Sequence, residues 1–334
     1  MSGRVLVTGA SGYVAGHVVK DLEAHGYEVR GTARRPVGGD TVAADLTRDA
    51  GWAEAVDGCD YVVHVASPFP NGVPASEDEL IRPAVDGTLR VLRAAADAKV
   101  KRVVVTSSIA AVVSGHPGGV VRAEEDWSVL ERSPAYPKSK TLAERAAWDF
   151  AEESGLELVV VNPGMVLGPL LSENIGTSVA VVHRLLVRDV PASPKMGFAI
   201  ADVRDVATAH RLALETPRAA GNRYIVAGEF TLMRDVAAVL AAEFNPRGYR
   251  VPTGGLPTWV LRVMARFDPS LRHALGFVGR REDVSHDKAS RELGLTLRPT
   301  RETILDTAHS LIELGLAPNP AEKKEPAAQG AAGR

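Results

Sequence analysis

The chain has 334 residues, and 39 Lys and Arg against 41 Asp and Glu leave a net charge of −2 near neutral pH. That balance excludes the strongly basic surface typical of nucleic-acid-binding proteins, and the 45% hydrophobic content excludes disorder over most of the length. The single cysteine, Cys59, excludes an intrachain disulfide, and the nine histidines show no metal-ligand spacing. With no leader pattern or membrane-spanning run in view, we expect a metal-free cytoplasmic protein.

Strand-like and helix-like segments alternate through the first half of the chain. Short runs rich in valine and leucine predict strands at residues 4–8, 28–33, 42–46, 61–66, 102–107 and 157–161. Helical spacing predicts helices at 13–25, 80–98 and 135–154. Because the strands are apolar on both faces, we expect a doubly wound α/β fold with a parallel sheet covered by helices.

After Pro163 the pattern becomes irregular, with helical segments at 178–188 and 232–243 between stretches rich in glycine and proline. We predict a first domain at 1–170, to which later strands at about 198–228 return. Residues 171–316 would form mainly a smaller mixed cap, with Trp259, Phe267 and Phe277 in its core. Residues 317–334 have the composition of a disordered tail.

A glycine-rich turn lies between the first predicted strand and the first predicted helix. Gly9 permits a tight turn, and Gly12 lets the backbone approach a pyrophosphate. Free N–H groups at the start of the helix then favour an anion. The sequence therefore predicts a dinucleotide site on this turn, formed by Gly9, Ser11, Gly12, Tyr13 and Val14.

The end of the second strand indicates which dinucleotide binds. An NAD site usually carries an acid there for the ribose hydroxyls, but this strand ends in Arg34 and Arg35. Guanidinium groups favour a 2′-phosphate, and therefore NADP(H). Asp45, at the end of the third strand, is placed to accept a hydrogen bond from the adenine amine.

A tyrosine, a lysine and a pair of serines predict a catalytic site. Tyr136 and Lys140 are four residues apart on a predicted helix, so both side chains share one face. The ammonium is expected to lower the tyrosine pKa. The strand ending at Ser107 and Ser108 delivers hydroxyl groups to the carboxyl edge of the sheet, where a serine could stabilise developing charge on a carbonyl oxygen.

Together these segments resemble the extended short-chain dehydrogenase/reductases, in the branch of dihydroflavonol-4-reductase-like aldehyde and ketone reductases. The resemblance covers about residues 3 to 316. Its motifs are Thr8-Gly9-x-x-Gly12, His64-Val65-Ala66-Ser67, Thr106-Ser107-Ser108, Tyr136-Pro137-Lys138-Ser139-Lys140, Asn162-Pro163-Gly164-Met165-Val166-Leu167-Gly168-Pro169 and Asp202-Val203-Arg204-Asp205-Val206.

The resemblance implies a Rossmann fold and roles for particular residues. It makes Ser108 the catalytic serine, Tyr136 the general acid and Lys140 its partner. It assigns Arg34 to the NADP 2′-phosphate. The remaining implied cofactor contacts are Asp45 and Leu46 at the adenine, Val65, Ala66 and Ser67 beside the adenosine ribose, Pro163 and Val166 at the nicotinamide carboxamide, and Ser178 at the pyrophosphate.

The implied activity is NADPH-dependent reduction of an aldehyde or ketone, by a protein that is a possible homodimer. The apolar stretch 110–113 after the serine favours a less polar carbonyl substrate than a flavonoid. Alternatives remain a sugar-nucleotide epimerase, a hydroxysteroid dehydrogenase/isomerase-type enzyme and a non-catalytic NADP sensor. A sensor is disfavoured because Tyr136 and Lys140 are both present.

Overall fold

The protein folds around a seven-stranded sheet in which every neighbouring pair is parallel, in the order β10-β6-β5-β4-β1-β2-β3. The computed structural model describes residues 3–36, 38–67, 76–267, 275 and 278–318. The predicted fold class, a doubly wound parallel sheet with a smaller mixed C-terminal part, is confirmed, and small sheets occur in the second half of the chain.

The strands are β1 Arg4–Val7, β2 Glu28–Ala33, β3 Thr41–Ala43, β4 Tyr61–His64, β5 Arg102–Thr106, β6 Leu158–Pro163, β7 Met165–Leu167, β8 Ser193–Pro194, β9 Gly197–Asp202, β10 Arg223–Val226, β11 Phe230–Leu232 and β12 Gly255–Leu256. The helices are α1 Tyr13–Ala24, α2 Trp52–Val56, α3 Asp78–Asp97, α4 Ala110–Val113, α5 Ala135–Ser154, α6 Thr177–Leu186, α7 Val203–Glu215, α8 Met233–Phe244, α9 Thr258–Met264 and α10 Thr300–Glu313. Predicted strand 28–33 and helix 135–154 have the observed bounds, and the other predicted elements differ by a few residues at their ends.

Helices cover both faces of the large sheet, which explains why its central strands β1, β5 and β6 are mostly apolar. On one face, α1 and α7 pack over Val5, Val104 and Tyr224. On the other face, α2, α3 and α5 pack over Leu6, Val62 and other buried strand residues. A parallel sheet buried on both faces exposes little besides its two ends, so its carboxyl edge is the natural place for a ligand.

The second half of the chain forms its own core beside that edge. Strands β7, β9 and β11 form a three-stranded sheet, and β8 pairs with β12. Helices α6, α8 and α10 bury Leu185, Leu240, Phe244, Ile304 and Leu311 together.

The prediction of an aromatic core in the cap is wrong for Trp259 and Phe267, which are 69% and 85% exposed. Helix α9 is only seven residues long and buries Leu261 alone. Trp259 therefore remains exposed on this helix, and Phe267 follows its end. Phe277, predicted for the same core, lies outside the described residues.

Two aspartates at the start of α7 bind residues of the C-terminal part of the chain. Asp202 caps α7 by accepting a hydrogen bond from the backbone N–H of Arg204 at 2.8 Å, and it also accepts one from the Thr303 hydroxyl at 2.9 Å. Asp205 accepts a hydrogen bond from the backbone N–H of Arg298 at 2.7 Å. Both carboxylates therefore hold the start of α7 against residues 298–303.

Across the ranges given above, no helix is long and apolar enough to cross a membrane, and no group of three potential metal ligands occurs. Cys59 is a buried free thiol, and Ala317 is buried against α10. Most of the predicted tail, residues 319–334, lies outside the described residues.

The central strand supports a direct stability test. Leu6 is fully buried in β1, and Leu6→Ala leaves a cavity between the sheet and its helices. We expect the free energy of unfolding to fall by about 2–5 kcal/mol in a denaturant titration. Leu171→Ala makes the same change at a side chain that is 47% exposed and should cost less than about 1 kcal/mol. Equal losses in the two variants would contradict this account of the core.

Candidate active site

The candidate site is assembled from loops at the carboxyl edge of the large sheet. The glycine turn follows β1, the Arg34 segment follows β2, the Ser67 loop follows β4 and Ser108 follows β5. Because these strands are neighbours and parallel, residues far apart in the sequence meet at one edge. Helix α5 crosses beside this edge and contributes Tyr136 and Lys140 from its first two turns.

The glycine turn has the geometry that close approach to an anion requires. Gly9 has φ +66°, a left-handed conformation that favours glycine, and a Cβ there would lie 3.0 Å from the Ala66 Cβ. Gly12 is the N-cap of α1 and offers no side-chain acceptor to the first N–H groups of the helix. The first turn carries no acidic residue, so these N–H groups and the positive end of the helix dipole remain available to an anion.

A buried threonine connects this turn to the loop after β4. The Thr8 hydroxyl shares a hydrogen bond of 2.8 Å with Nδ1 of His64 and accepts one of 3.0 Å from the backbone N–H of Ala66. Both Thr8 and His64 are almost fully buried. Burial and the nearby charge of Lys140 lower the pKa of His64 to about 3, so this histidine is neutral. The glycine turn is thereby held in register with the Ser67 loop.

The residues predicted to bind the adenosine end of the cofactor follow the carboxyl ends of β2 and β3. Arg34 and Arg35 are exposed, and across the described chain neither takes part in a salt bridge. Asp45 Oδ1 accepts hydrogen bonds from the N–H and hydroxyl of Thr47, both at 2.8 Å, and these bonds with nearby Arg34 hold the pKa of Asp45 below its usual range. Leu46 is 9% exposed and packs in the core, and its backbone carbonyl accepts a hydrogen bond of 2.8 Å from Nη1 of Arg90.

The three predicted catalytic side chains converge. Tyr136 and Ser108 are hydrogen-bonded through their side chains. Lys140, one helical turn after Tyr136, donates a hydrogen bond of 3.2 Å from Nζ to the Ser67 hydroxyl. The structure thus brings the phenol and the ammonium group of α5 to the Ser108 hydroxyl after β5 and the Ser67 hydroxyl after β4.

The pKa of Tyr136 differs in direction from the expectation. Burial raises the pKa of Tyr136, and its hydrogen bond with Ser108 opposes that effect only in part. Burial also lowers the pKa of Lys140 to about 8, against the opposing effect of the Glu144 carboxylate. Desolvation dominates both groups because it disfavours the charged form of each.

The remaining residues predicted to contact the cofactor lie in the glycine turn, at the margin of the core, at a strand end and at a helix start. Ser11 is exposed at the tip of the glycine turn, while Tyr13 donates a hydrogen bond of 2.9 Å from its hydroxyl to the carbonyl of Gly168. That contact commits the Tyr13 side chain to packing and leaves its backbone N–H for a ligand. Val14, Val65 and Val166 pack at the margin of the large core. Pro163 ends β6, and Ser178 lies in the first turn of α6.

Most of the apolar stretch after Ser108 belongs to the core. Ala111, Val112 and Val113 are at most 4% exposed and pack under β9 and β10. Their apolar character therefore reflects packing, and it supplies no argument about the polarity of a substrate. Nearby, the carbon of the Arg223 guanidinium lies 3.9 Å from the centre of the Trp127 ring.

A buried polar cluster behind the serine was not predicted from the sequence. Glu144, which the structure places on the Lys140 side of α5, binds Ser107, Asn162 and Arg223. The helical spacing from Lys140 to Glu144 was a usable signal, since residues four apart share a face. Nothing in the sequence indicated Arg223, which comes from β10, 79 residues away from Glu144.

Comparison with known proteins assigns the family. A model of the family "NAD dependent epimerase/dehydratase family" matches residues 5–228, about two thirds of the chain. The chain belongs to this family. Cinnamoyl-CoA reductase 1 of Petunia hybrida is 36% identical over 349 residues, which cover 98% of this chain and 97% of that protein. Cinnamoyl-CoA reductase 1 of Arabidopsis thaliana is 37% identical over 337 residues, which cover 94% and 91%.

A solved structure gives the same assignment. The crystal structure of yeast methylglyoxal/isovaleraldehyde reductase Gre2 complexed with NADPH matches with a TM-score of 0.76 and 29% identity, over 94% of this chain and 99% of that one. The predicted membership in the extended short-chain dehydrogenase/reductases, in their dihydroflavonol-reductase-like branch, is confirmed. The protein is therefore an oxidoreductase of the reductase branch of the epimerase/dehydratase family.

The buried histidine beneath the site makes acid stability testable. His64 is neutral when folded, with a pKa of about 3, and has its ordinary pKa of 6.5 when unfolded. As pH falls below 6.5 the unfolded chain takes up a proton that the folded chain does not, so stability falls by about 1.4 kcal/mol per pH unit for this residue. We expect His64→Gln to show a shallower loss of unfolding free energy between pH 7 and pH 5 than the parent protein.

The matched control is His25→Gln, because the His25 side chain is 45% exposed. It should leave the pH dependence unchanged. If both variants keep the slope of the parent protein in urea titrations across this pH range, His64 is not a neutral buried group.

Proposed function

We propose that the protein is an NADPH-dependent carbonyl reductase that reduces an aldehyde or ketone to an alcohol, with Tyr136 as the proton donor. The observation that carries this proposal is the convergence of Tyr136, Ser108 and Lys140 at the carboxyl edge beside the glycine turn. The names of the relatives support the reaction class, since they are reductases of cinnamoyl-CoA and of methylglyoxal or isovaleraldehyde.

The residues present fit NADPH. The N-cap Gly12 and the acid-free first turn of α1 suit a pyrophosphate, and Arg34 and Arg35 have no salt-bridge partner among the described residues and are available to a 2′-phosphate. Asp45 is proposed for the adenine. It lies close enough to Arg34 that the charge of the arginine lowers the pKa of the Asp45 carboxyl. When bound, the nicotinamide supplies the hydride to the carbonyl carbon.

The side chains of this protein handle the oxygen and the proton. The Ser108 hydroxyl hydrogen-bonds the carbonyl oxygen and orients it toward Tyr136. The raised pKa keeps the Tyr136 phenol protonated and able to donate its proton as negative charge develops on that oxygen. Lys140 stabilises the phenolate that results and holds the nicotinamide ribose, and Ser67 orients its ammonium group.

Removing the proton donor tests the reaction directly. Tyr136→Phe keeps the ring but has no proton to give, so we expect kcat for NADPH oxidation to fall by roughly 10²- to 10⁴-fold. The measurement is NADPH absorbance with a panel of aldehydes, aryl ketones, α-keto esters and one dihydroflavonol. Lys140→Met should lower kcat by a comparable factor. Lys138→Met is the control, because Lys138 is on the same helix but pairs with Glu77, and it should leave kcat unchanged.

Turnover of Tyr136→Phe at the parent rate would exclude this tyrosine as the donor. Tight NADPH binding by the parent protein without turnover of any carbonyl would favour an epimerase or a non-catalytic NADP sensor. An epimerase would then interconvert a nucleotide sugar without net consumption of NADPH.

Cofactor choice gives a separate test. Arg34→Ala removes a cation proposed for the 2′-phosphate, and a charged hydrogen bond is worth about 1.5–3 kcal/mol. We expect kcat/KM for NADPH to fall by roughly 10- to 100-fold, while kcat/KM for NADH stays nearly constant. Arg93→Ala, an exposed arginine on α3, is the control and should change neither value. An equal loss of kcat/KM with NADPH and with NADH would indicate that Arg34 stabilises the loop and does not bind the 2′-phosphate.

A further inference from the structure

Glu144 is an ionisable group buried completely beside the proposed catalytic residues. Its side chain is 0% exposed. One carboxylate oxygen accepts hydrogen bonds from the Ser107 hydroxyl at 2.5 Å and the Asn162 amide at 2.9 Å. The other accepts one from Nε of Arg223 at 2.5 Å. A buried carboxylate is costly to desolvate and persists only where it is paired and fully hydrogen-bonded, as it is here.

The cationic partner of Glu144 is itself immobilised. Arg223 donates from Nη1 to the backbone carbonyls of Glu124 and Asp126, at 2.8 and 2.9 Å. The carbon of its guanidinium lies over the Trp127 ring, 3.9 Å from the ring centre. Glu144 is therefore anchored to a rigid group on β10, and its other oxygen is directed at the end of β5.

That oxygen holds the backbone that carries the proposed catalytic serine. The Asn162 amide nitrogen donates both to Glu144 and to the carbonyl of Ser108, at 2.9 and 3.2 Å. Because both neighbours are acceptors, this amide orientation is the one that satisfies them. The Ser107 hydroxyl supplies the second link, one residue before Ser108. A single carboxylate thus fixes both residues at the turn after β5.

The same carboxylate lies next to the proposed catalytic lysine. Glu144 and Lys140 both line a cavity of about 20 Å³ between α5, α3, β4 and β5. The ionisable groups around Lys140 are Glu144 and Tyr136 on α5 and neutral His64 on β4. Thr88 of α3 and Ser107, which follows β5, also line the cavity and carry no charge. Glu144 is therefore the anion of this protein that favours the Lys140 ammonium.

We propose that Glu144, anchored by Arg223, is a positioning residue that fixes Ser108 through Ser107 and Asn162 and supplies the countercharge of Lys140. This inference rests on the proposed function of Ser108 and Lys140. Glu144 touches neither substrate nor cofactor and acts through the two residues that do. Its loss should alter the ionisation of Lys140 as well as the rate, an effect that a purely structural role would not produce.

The first test is the titration of Lys140 in the cofactor-free protein, followed by NMR of ¹³C-labelled lysine and assigned with Lys140→Arg. We expect Lys140 of the parent protein to titrate near pH 8, because burial lowers its pKa to about 8. Glu144→Gln keeps the size of the side chain but removes its charge. We expect the Lys140 midpoint to move to lower pH by about one pH unit, since an anion in contact favours the ammonium.

The second test is the pH profile of carbonyl reduction. Activity that needs the Lys140 ammonium is lost as pH rises through its pKa, so Glu144→Gln should lose activity at lower pH than the parent. We expect kcat to fall by roughly 10- to 100-fold because Ser108 is no longer held, with KM for NADPH changed by less than about threefold.

Matched variants separate positioning from folding. Glu157→Gln removes a carboxylate that also pairs with a buried arginine, Arg102, at 2.9 Å, but at the opposite end of β5. It should leave the Lys140 titration and the pH profile unchanged. Should Glu144→Gln fail to fold, the double variant Glu144→Gln/Arg223→Met leaves no unpaired arginine and is expected to show the same shift.

An unchanged Lys140 midpoint together with an unchanged pH profile, in a folded Glu144 variant, would overturn the proposal. Absence of carbonyl turnover in the parent protein would instead overturn the proposed function. The NMR titration would still decide whether Glu144 supplies the countercharge of Lys140.

Discussion

Burial of both faces of one parallel sheet is the constraint on which the rest of the structure depends. With α1 and α7 on one face and α2, α3 and α5 on the other, the central strands have no solvated face and are mostly apolar. Backbone N–H groups and polar side chains then become available to a ligand mainly where strands end. The glycine turn, the Ser67 loop and Ser108 lie together because parallel strands end at the same edge.

Removal from water governs the chemistry at this edge. A tyrosine with a raised pKa, a lysine with its pKa near 8 and a neutral histidine with its pKa near 3 lie within one cluster, and burial is the main cause in each case. A low-dielectric site strengthens each charge interaction but also requires every charge to be paired. The proposed acid chemistry of Tyr136 and the proposed role of Glu144 both follow from this single condition.

Much of the fold and of the proposed site was predictable from local pattern. The helix at 135–154 and the strand at 28–33 have their predicted bounds, because helical spacing and apolar runs encode them directly. Tyr136 and Lys140 share a face because helix geometry brings residues four apart together. The failures came where burial depends on distant partners. Trp259 and Phe267 are exposed, the stretch 110–113 is core, and the pKa of Tyr136 rises although a lysine lies one turn away.

The sequence by itself determined the α/β class, the glycine turn, the two arginines after β2 and the Tyr-x-x-x-Lys pair, because each depends on residues close along the chain. Only the tertiary structure decided that Thr8 connects the turn to His64 and Ala66. It also decided that Arg223 of β10 holds Glu144 of α5 behind Ser108. These contacts join residues 56 to 79 positions apart, and they depend on strand order and on burial, which local spacing does not encode.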